Sequence, residues 1–303
     1  MGIIERISQF VPKENISEKE LMSRHTTFKV GGPCSVLVKI DEVCQLQKLL
    51  PYFVEEKIPY FFLGNGSNIL VSDKGFDGVI ITYSQRLSDE IKVEGDRITA
   101  GGGVLLSKVA KKALDASLTG FEFAAGIPGT VGGAMVMNAG AYDGEMKQIV
   151  ENVEVVDAEG SLRVLSCEEM EFGYRTSILK REPFIVTQVT FKLSKGDSAV
   201  IKEKMDDLAQ RRRNKQPLEY PSAGSTFKRP EGHFAGKLIM DSGLRGYQVG
   251  GAKVSEKHCG FVVNAGNATA TDVYNLMEDV IKKVQEEFQV TLEPEVIRLG
   301  EFK

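Results

Sequence analysis

Two glycine-rich stretches, about sixty residues apart, contain the residue types that could bind a phosphorylated ligand. Gly64-Asn65-Gly66-Ser67-Asn68 lies between two short apolar runs, and residues 125–134 read AGIPGTVGGA. Glycine lets the backbone approach a ligand closely, and successive N–H groups can converge on an anion. The segment 61–142, which contains both stretches, therefore predicts a cradle for a long ligand with two phosphates and a ring system. A flavin nucleotide fits that description best.

Neither stretch matches the better-known nucleotide loops. GNGSNI (64–69) lacks the third glycine of G-x-G-x-x-G and is not followed by a predicted helix. GHFAGKL (232–238) has one residue too few between its glycines for a P-loop, and Leu238 stands where Ser or Thr should hold magnesium. Both a Rossmann fold and a P-loop ATPase are disfavoured. For each stretch on its own, a tight structural loop remains the alternative.

Three side chains outside the glycine-rich stretches could do anion or acid–base chemistry. Arg175 lies in FGYRTS, Ser225 in PSAGSTFK and Glu295 in LEPEV. Taken singly, each is more typical of a surface arginine, a turn serine or a solvated glutamate. No G-x-S-x-G motif supports a serine hydrolase. Local sequence alone therefore assigns none of the three a catalytic role.

The charge, the cysteines and the apolar runs of the sequence limit which partners and which location the protein can have. The formal net charge is −4 with no long basic run, which argues against nucleic acid as the main partner. The four cysteines (Cys34, Cys44, Cys167 and Cys259) form no CxxC pair, and the three histidines do not flank them at zinc-ligand spacing. We predict no metal site, free thiols and a cytoplasmic location. No apolar run approaches the ~18 residues of a membrane span.

The pattern of apolar residues predicts an α+β protein. IKVEGDRITA (91–100) and VEVVDAEGSLRVL (153–165) each read as a β-hairpin with turn residues at the centre. A helix is predicted over 41–57, which Pro51 is expected to break or restart, and another over 272–288, capped by Thr271 or Asp272. The glycine-rich run leads into residues 135–138, where a further helix is expected to start.

Five blocks of sequence, in order along nearly the whole chain, carry a resemblance to a known family. The blocks are LGNGSN (63–68), EFAAGIPGTVGGAMVMNAGAY (122–142), FGYRTS (172–177), PSAGSTFKRPEG (221–232) and LEPEVIRLG (292–300). Together they resemble the UDP-N-acetylenolpyruvoylglucosamine reductases, flavoenzymes of peptidoglycan precursor synthesis. The chain is similar to the compact branch of that family, because no extra tyrosine-bearing insertion is evident.

The resemblance implies a fold and a reaction. The fold is a two-subdomain FAD-binding unit of the vanillyl-alcohol-oxidase type (1–84 and 85–196) and a C-terminal α+β substrate-binding domain (197–303), whose tail is expected to return to the first subdomain. The reaction is the NADPH-driven, FAD-dependent reduction of the enolpyruvyl group of UDP-N-acetylglucosamine enolpyruvate. It yields UDP-N-acetylmuramate for cell wall biogenesis. The expected partners are small molecules, and the expected state is a monomer or weak oligomer.

The resemblance also implies which residues form the site. The catalytic trio falls on Arg175, Ser225 and Glu295, and the substrate-binding residues on Lys215, Arg229 and Lys237. The implied cofactor-binding residues are Gly64, Asn65, Gly66, Ser67, Asn68, Ile69, Ala125, Gly126, Ile127, Pro128, Gly129, Gly133, Ala134, Asn138, Gly140 and Ala141.

Two alternatives remain open from the sequence. One is another flavin-dependent oxidase or dehydrogenase with the same FAD-binding fold, which leaves the GSTFK and EPEV blocks unexplained. The other is a non-catalytic nucleotide-binding protein, which would bind nucleotide without turnover.

Overall fold

The computed structural model describes residues 2–302. The helices are α1 (Ile3–Ile7), α2 (Val43–Glu55), α3 (Leu106–Asp115), α4 (Val131–Val136), α5 (Ser198–Lys215), α6 (Ala235–Asp241) and α7 (Ala270–Phe288). The strands are β1 (Ile16–Glu18), β2 (Cys34–Ile40), β3 (Tyr60–Phe62), β4 (Ile69–Val71), β5 (Phe76–Tyr83), β6 (Ile91–Glu94), β7 (Arg97–Gly101), β8 (Leu118–Thr119), β9 (Gly140–Ala141), β10 (Gly144–Glu145), β11 (Val150–Val156), β12 (Leu162–Ser166), β13 (Ile185–Lys192), β14 (Ser194–Lys195), β15 (Gln248–Val249), β16 (Ala252–Val254), β17 (Val262–Asn264) and β18 (Ile297–Leu299). The predicted α+β class is confirmed.

The described chain divides into two compact units. The first contains the residues up to Glu18, Val36–Asn65 and Gly78–Arg211, and the second contains Lys19–Ser35, Gly66–Asp77 and the chain from Arg212 onward. Two early segments, 19–35 and 66–77, therefore belong with the C-terminal part. The finer boundaries of three domains at 1–84, 85–196 and 197–303 stay a prediction.

The first unit has two buried cores. In one, Leu46, Leu49 and Phe53 of α2 pack with residues of the sheet whose strand order is β1-β2-β5-β3. The other lies between α3, α4 and an antiparallel sheet of order β12-β11-β13-β7-β6. The predicted break at Pro51 is wrong, because α2 continues through it. The burial of its apolar face outweighs the hydrogen bond that proline cannot make.

Both predicted hairpins are present in the first unit. β6 pairs with β7, and β11 pairs with β12, each antiparallel. Their turns contain Gly95 (φ +64°) and Gly160 (φ +80°), in the left-handed region that glycine adopts without steric conflict. Local turn chemistry therefore determines these two hairpins.

In the second unit, α7 and α6 share a buried core with the antiparallel sheet β15-β16-β17. Helix α7 begins with a capping box at Thr269 rather than with Thr271 or Asp272 as its cap; Asp272 is instead the reciprocal partner at the third helical position. The C-terminal strand β18 pairs in parallel with β4, so the end of the chain returns to residues that the sequence analysis assigned to the first subdomain.

Candidate functional site

In the first unit, the start of the first glycine-rich stretch, Gly64-Asn65, contacts the second stretch. The side-chain amide of Asn65 donates to the carbonyl of Pro128 at 2.7 Å. A Cβ placed on Gly64 would lie 2.5 Å from Oγ1 of Thr130, which no side chain could tolerate without movement. The close approach therefore requires glycine at 64, and it holds the start of the first stretch against the second.

The backbone N–H groups of the two stretches provide the test of whether a nucleotide cofactor fits. Within residues 2–302, none of the five N–H groups from Gly64 to Asn68 donates to a protein acceptor, and neither do those of Gly126 and Gly129. Gly66 is buried and Gly64 half-buried. Buried N–H groups are nearly always paired in folded proteins, so the N–H of Gly66 suits an acceptor-rich ligand, whereas exposed Asn65 and Gly126 can donate to water or to a ligand. The neutral donor set fits the diphosphate of a dinucleotide such as FAD.

The helix after the second stretch begins earlier than predicted. Helix α4 starts at Val131, inside the glycine-rich run, and the predicted start in 135–138 is wrong. Its first N–H groups are already used: Val131 donates to the carbonyl of Val104 and Gly132 to that of Gly102, both at 2.8 Å. These tertiary bonds stabilise a helix start of low intrinsic propensity, and they leave the loop itself to supply anion donors.

The buried carboxylate of Glu122 makes several polar contacts just before the second stretch in the chain. Glu122, directly before this loop, accepts hydrogen bonds from the Thr119 hydroxyl (2.6 Å) and the Gly120 N–H (3.0 Å). Lys204 of α5 lies 3.6 Å from the same carboxylate. Burial alone would raise the pKa of Glu122, but these hydrogen bonds and the lysine outweigh it, and the pKa is lowered.

The second unit brings Ser225 and Glu295 to neighbouring backbone positions. The N–H of Glu295 donates to the carbonyl of Thr226 at 2.8 Å, and the Lys228 N–H donates to that of Glu293 at 2.8 Å. Thr226 is fully buried and accepts a hydrogen bond on its hydroxyl from the N–H of Val262, in β17. The loop containing Ser225 is therefore fixed on both sides, while Ser225 itself is exposed.

In the second unit, Asn68 and Thr27 connect the end of the first glycine-rich stretch to the segments that contain Glu295 and Ser225. The side-chain amide of Asn68 donates to the carbonyl of Glu295 at 3.2 Å. The hydroxyl of Thr27 lies 2.6 Å from the carbonyl of Ser222 and 3.3 Å from that of Gly66. Thr27 was not predicted as a site residue. No local signal marks it, because its partner Ser222 is 195 positions away in the chain.

Arg175 belongs to the first unit and lies in a two-residue turn with a left-handed φ of +54°. The turn is closed by reciprocal hydrogen bonds between Gly173 and Thr176. Its guanidinium donates to the carbonyl of Gly140 at 3.1 Å and lies 5.2 Å from the ring of Tyr174. The strain of a non-glycine residue at positive φ shows that the surrounding contacts fix this backbone.

The other predicted cofactor residues occupy varied positions. Ile69 is buried in β4, Gly140 and Ala141 form β9, and Gly133 is exposed on α4. Asn138 is only 1% exposed. The glycine run 101–103 was not predicted as part of the site. The carbonyl of Gly102 accepts from Gly132 at the start of α4, and a Cβ on Gly102 would lie 2.2 Å from the carbonyl oxygen of Val186 in β13. Its position directly after a predicted strand could have signalled this role.

The three predicted substrate-binding residues lie in the chain from Arg212 onward and are exposed. Arg229 stacks on the ring of Phe234, with its guanidinium carbon 4.0 Å from the ring centre. Lys237 pairs with Asp241 at 2.6 Å. Lys215 is the last residue of α5; burial lowers the pKa of His258, and the positive charge of Lys215 lowers it further.

Residues 2–302 contain neither a cluster of metal-ligating side chains nor a helix suited to cross a membrane. No three His, Cys, Asp or Glu side chains come together in an arrangement that could hold a metal ion. None of the helices in this part of the chain has the length and apolar character needed to cross a membrane.

Comparison with known proteins gives the site a context. Residues 34–166 match the model of an FAD binding domain, and residues 216–299 match that of the C-terminal domain of UDP-N-acetylenolpyruvoylglucosamine reductase. The first range contains the two glycine-rich stretches, and the second contains Ser225 and Glu295.

Full-length relatives agree with the domain matches. The chain is 52% identical to the UDP-N-acetylenolpyruvoylglucosamine reductase of Caldanaerobacter subterraneus subsp. tengcongensis, over 99% of this chain and 98% of that protein. It is 50% identical to the enzyme of that name from Clostridium perfringens, with the same coverage. The crystal structure of the Thermus caldophilus reductase superposes with a TM-score of 0.81 at 38% identity, covering 93% of this chain and 98% of that one. The chain belongs to the family of UDP-N-acetylenolpyruvoylglucosamine reductases.

Proposed function

We propose that this chain reduces the enolpyruvyl group of UDP-N-acetylglucosamine enolpyruvate to give UDP-N-acetylmuramate, with FAD as cofactor and NADPH as reductant. The observation that carries the proposal is its similarity to reductases of that name along 99% of its length. The N–H groups of Gly64 to Asn68, Gly126 and Gly129, which have no acceptor within residues 2–302, support the cofactor assignment independently, since they suit a diphosphate.

The difficulty of this reaction lies in the charge that it creates. The glycine-rich stretches would hold FAD, which would supply hydride-transfer chemistry between NADPH and the carbon–carbon double bond of the substrate. Conjugation with the substrate carboxylate lets the resulting negative charge spread onto the carboxylate oxygens. The residues of the chain must therefore stabilise an enolate with two negative charges and then deliver one proton to carbon.

We assign the stabilisation of that charge to Arg175 and Glu295. The planar guanidinium of Arg175 can donate two parallel hydrogen bonds to a carboxylate. Glu295 can contribute only in its protonated form, in which it donates a hydrogen bond to a carboxylate oxygen. The negative charge of the substrate favours that neutral form of Glu295.

We assign the proton transfer to Ser225. An alcohol is a weak acid in water, but the carbon next to the carboxylate becomes strongly basic as charge develops on it. The hydrogen bonds that fix the neighbouring Thr226 hold the backbone on which this hydroxyl is presented. The return of the proton to Ser225 from solvent completes the cycle.

We further propose that Arg229, Lys215 and Lys237 bind the anionic parts of the UDP-sugar. Arginine suits a diphosphate because its donors are fixed in one plane. Stacking on Phe234 orders the side chain of Arg229 before substrate arrives, which lowers the entropy lost on binding. Lys237 would exchange its exposed ion pair with Asp241, a contact of small energy, for the substrate anion.

A two-step anaerobic experiment tests the proposal. NADPH is added to the purified holoenzyme and the visible flavin absorbance is followed; the enolpyruvyl UDP-sugar is then added, and the product is identified by mass spectrometry. Bleaching, followed by recovery of absorbance with formation of UDP-N-acetylmuramate, is expected. Recovery only with oxygen would indicate an oxidase, and absence of bleaching a non-catalytic nucleotide-binding protein.

A further inference from the structure

The side chain of Asn138, just after the second glycine-rich stretch, is buried and hydrogen-bonded through both its nitrogen and its oxygen. It is 1% exposed, and its backbone has a left-handed φ of +40°. The amide nitrogen donates to Oε2 of Glu145 and to the carbonyl of Gly173, both at 3.0 Å. The amide oxygen accepts the N–H of Lys147 at 2.9 Å. Both donors of the side chain are therefore used within the first unit, and cofactor contact would have to come through its remaining lone pair or its backbone.

These bonds connect the end of the glycine-rich run to the turn that presents Arg175. Gly173, which accepts from Asn138, is the first residue of that turn, and it also exchanges hydrogen bonds with Thr176. Gly140, two residues after Asn138, accepts from the guanidinium of Arg175. The amide of Asn138 and the guanidinium of Arg175 therefore bridge the same two segments in opposite directions.

We infer that Asn138 is a positioning residue for Arg175, an inference that rests on the role proposed above for Arg175. The turn is strained at Arg175, so its conformation depends on the contacts made at its ends. The bond from Asn138 is the buried, charge-independent contact at the Gly173 end. Without it, the guanidinium would lose its alignment with the substrate carboxylate, whereas the start of α4 would keep its bonds to Val104 and Gly102.

Asparagine meets three requirements at once. It supplies two donors for Glu145 and Gly173 and one acceptor for Lys147, and it tolerates a positive φ better than most residues. Aspartate has the same shape but no amide donors, and its charge would face the carboxylate of Glu145. Glycine suits the backbone but removes every side-chain bond. These two variants separate the amide from the backbone conformation.

The test measures the two half-reactions of the holoenzyme for Asn138→Gly and Asn138→Asp. Thr187→Val is the matched control, because it removes a buried hydroxyl that donates to Glu154 elsewhere in the first unit. We expect reoxidation by the enolpyruvyl UDP-sugar to slow about 10- to 100-fold in both Asn138 variants, because a small displacement of a reacting group typically costs that much in rate. The rate of flavin reduction by NADPH should change less than about twofold, and the flavin spectrum should keep its shape. The control variant should have normal rates in both half-reactions.

A double-mutant cycle with Arg175→Ala gives the decisive readout. If Asn138 acts through Arg175, Asn138→Gly should slow reoxidation no further in the Arg175→Ala background. A full additional loss in that background would overturn the inference, and so would equal losses in the two half-reactions. If Arg175→Ala itself reoxidises normally, the proposed role of Arg175 has failed, and the inference about Asn138 fails with it for that separate reason.

Discussion

Gly64→Ala should weaken FAD binding by separating the two glycine-rich stretches. The added Cβ would lie 2.5 Å from Oγ1 of Thr130, and ordinary contact begins at 3.4 Å, so one loop must move by about 0.9 Å. Such a movement would stretch the 2.7 Å bond between Asn65 and Pro128 to about 3.6 Å, outside the usual range. Alternatively, Thr130 could rotate and lose its capping bond to the Gly133 N–H.

Either route removes one hydrogen bond, which is worth about 1 kcal/mol. With residual strain, we expect a total of about 1–2 kcal/mol, and hence a rise of roughly tenfold in the Kd for FAD. The assay is titration of apoprotein with FAD, followed by quenching of flavin fluorescence. Gly64 is not at positive φ, so alanine is compatible with its backbone and the effect should come from the contact alone.

The control for this prediction is Thr130→Ala, which removes the atom that the new methyl group would meet. The next contact, Cβ of Thr130, would be at an ordinary 3.6 Å. Gly64→Ala should therefore change the Kd less than about twofold in the Thr130→Ala background. Wild-type affinity in the single variant, or an undiminished loss in the double variant, would refute the idea that these loops form one cradle.

Three other predictions follow from the site and its surroundings. Arg229→Ala should raise the KM for the UDP-sugar more than it lowers kcat in steady-state assays, since a role in uniform binding acts on KM; a pure kcat effect would make Arg229 a catalytic residue. The pKa of Glu122 is lowered from 4.5, so as the pH falls the unfolded chain takes up this proton at a higher pH than the folded chain, and the free energy of unfolding should fall below about pH 4.5. In denaturant titrations, Glu122→Gln should weaken this pH dependence. An unchanged pH dependence in the variant would contradict the prediction. Exposed Cys44 should react first with a thiol reagent, whereas Cys34, whose pKa burial raises to about 11, should react only on unfolding. The fast phase of the labelling reaction should be lost in Cys44→Ser, and its persistence would contradict the prediction.

The elements with local signals were predictable from sequence. The two hairpins follow from glycine at their turns, and α7 follows from its apolar face and polar cap. The break expected at Pro51 and the late start expected for α4 were wrong for a shared reason. Burial stabilises α2, and bonds to Val104 and Gly102 stabilise α4, whereas local propensity takes account of neither.

The long-range arrangement was not predictable from local sequence. Residues 66–77 belong to the second unit because β4 pairs with β18, a partner more than 220 positions later. The link from Thr27 to Ser222 has the same non-local character. The catalytic trio came from family resemblance, and its roles stay proposals; what the structure adds is that Thr226, next to Ser225, is paired with Glu295.

The most direct test of the proposed mechanism compares the two half-reactions of Ser225→Ala by anaerobic stopped-flow absorbance. The account predicts that NADPH reduces the bound flavin at close to the wild-type rate. Reoxidation by the enolpyruvyl UDP-sugar should be slower by about 10²-fold or more, as for the loss of other single catalytic donors. Equal losses in both steps, or normal reoxidation, would contradict the assignment of Ser225 as the proton donor.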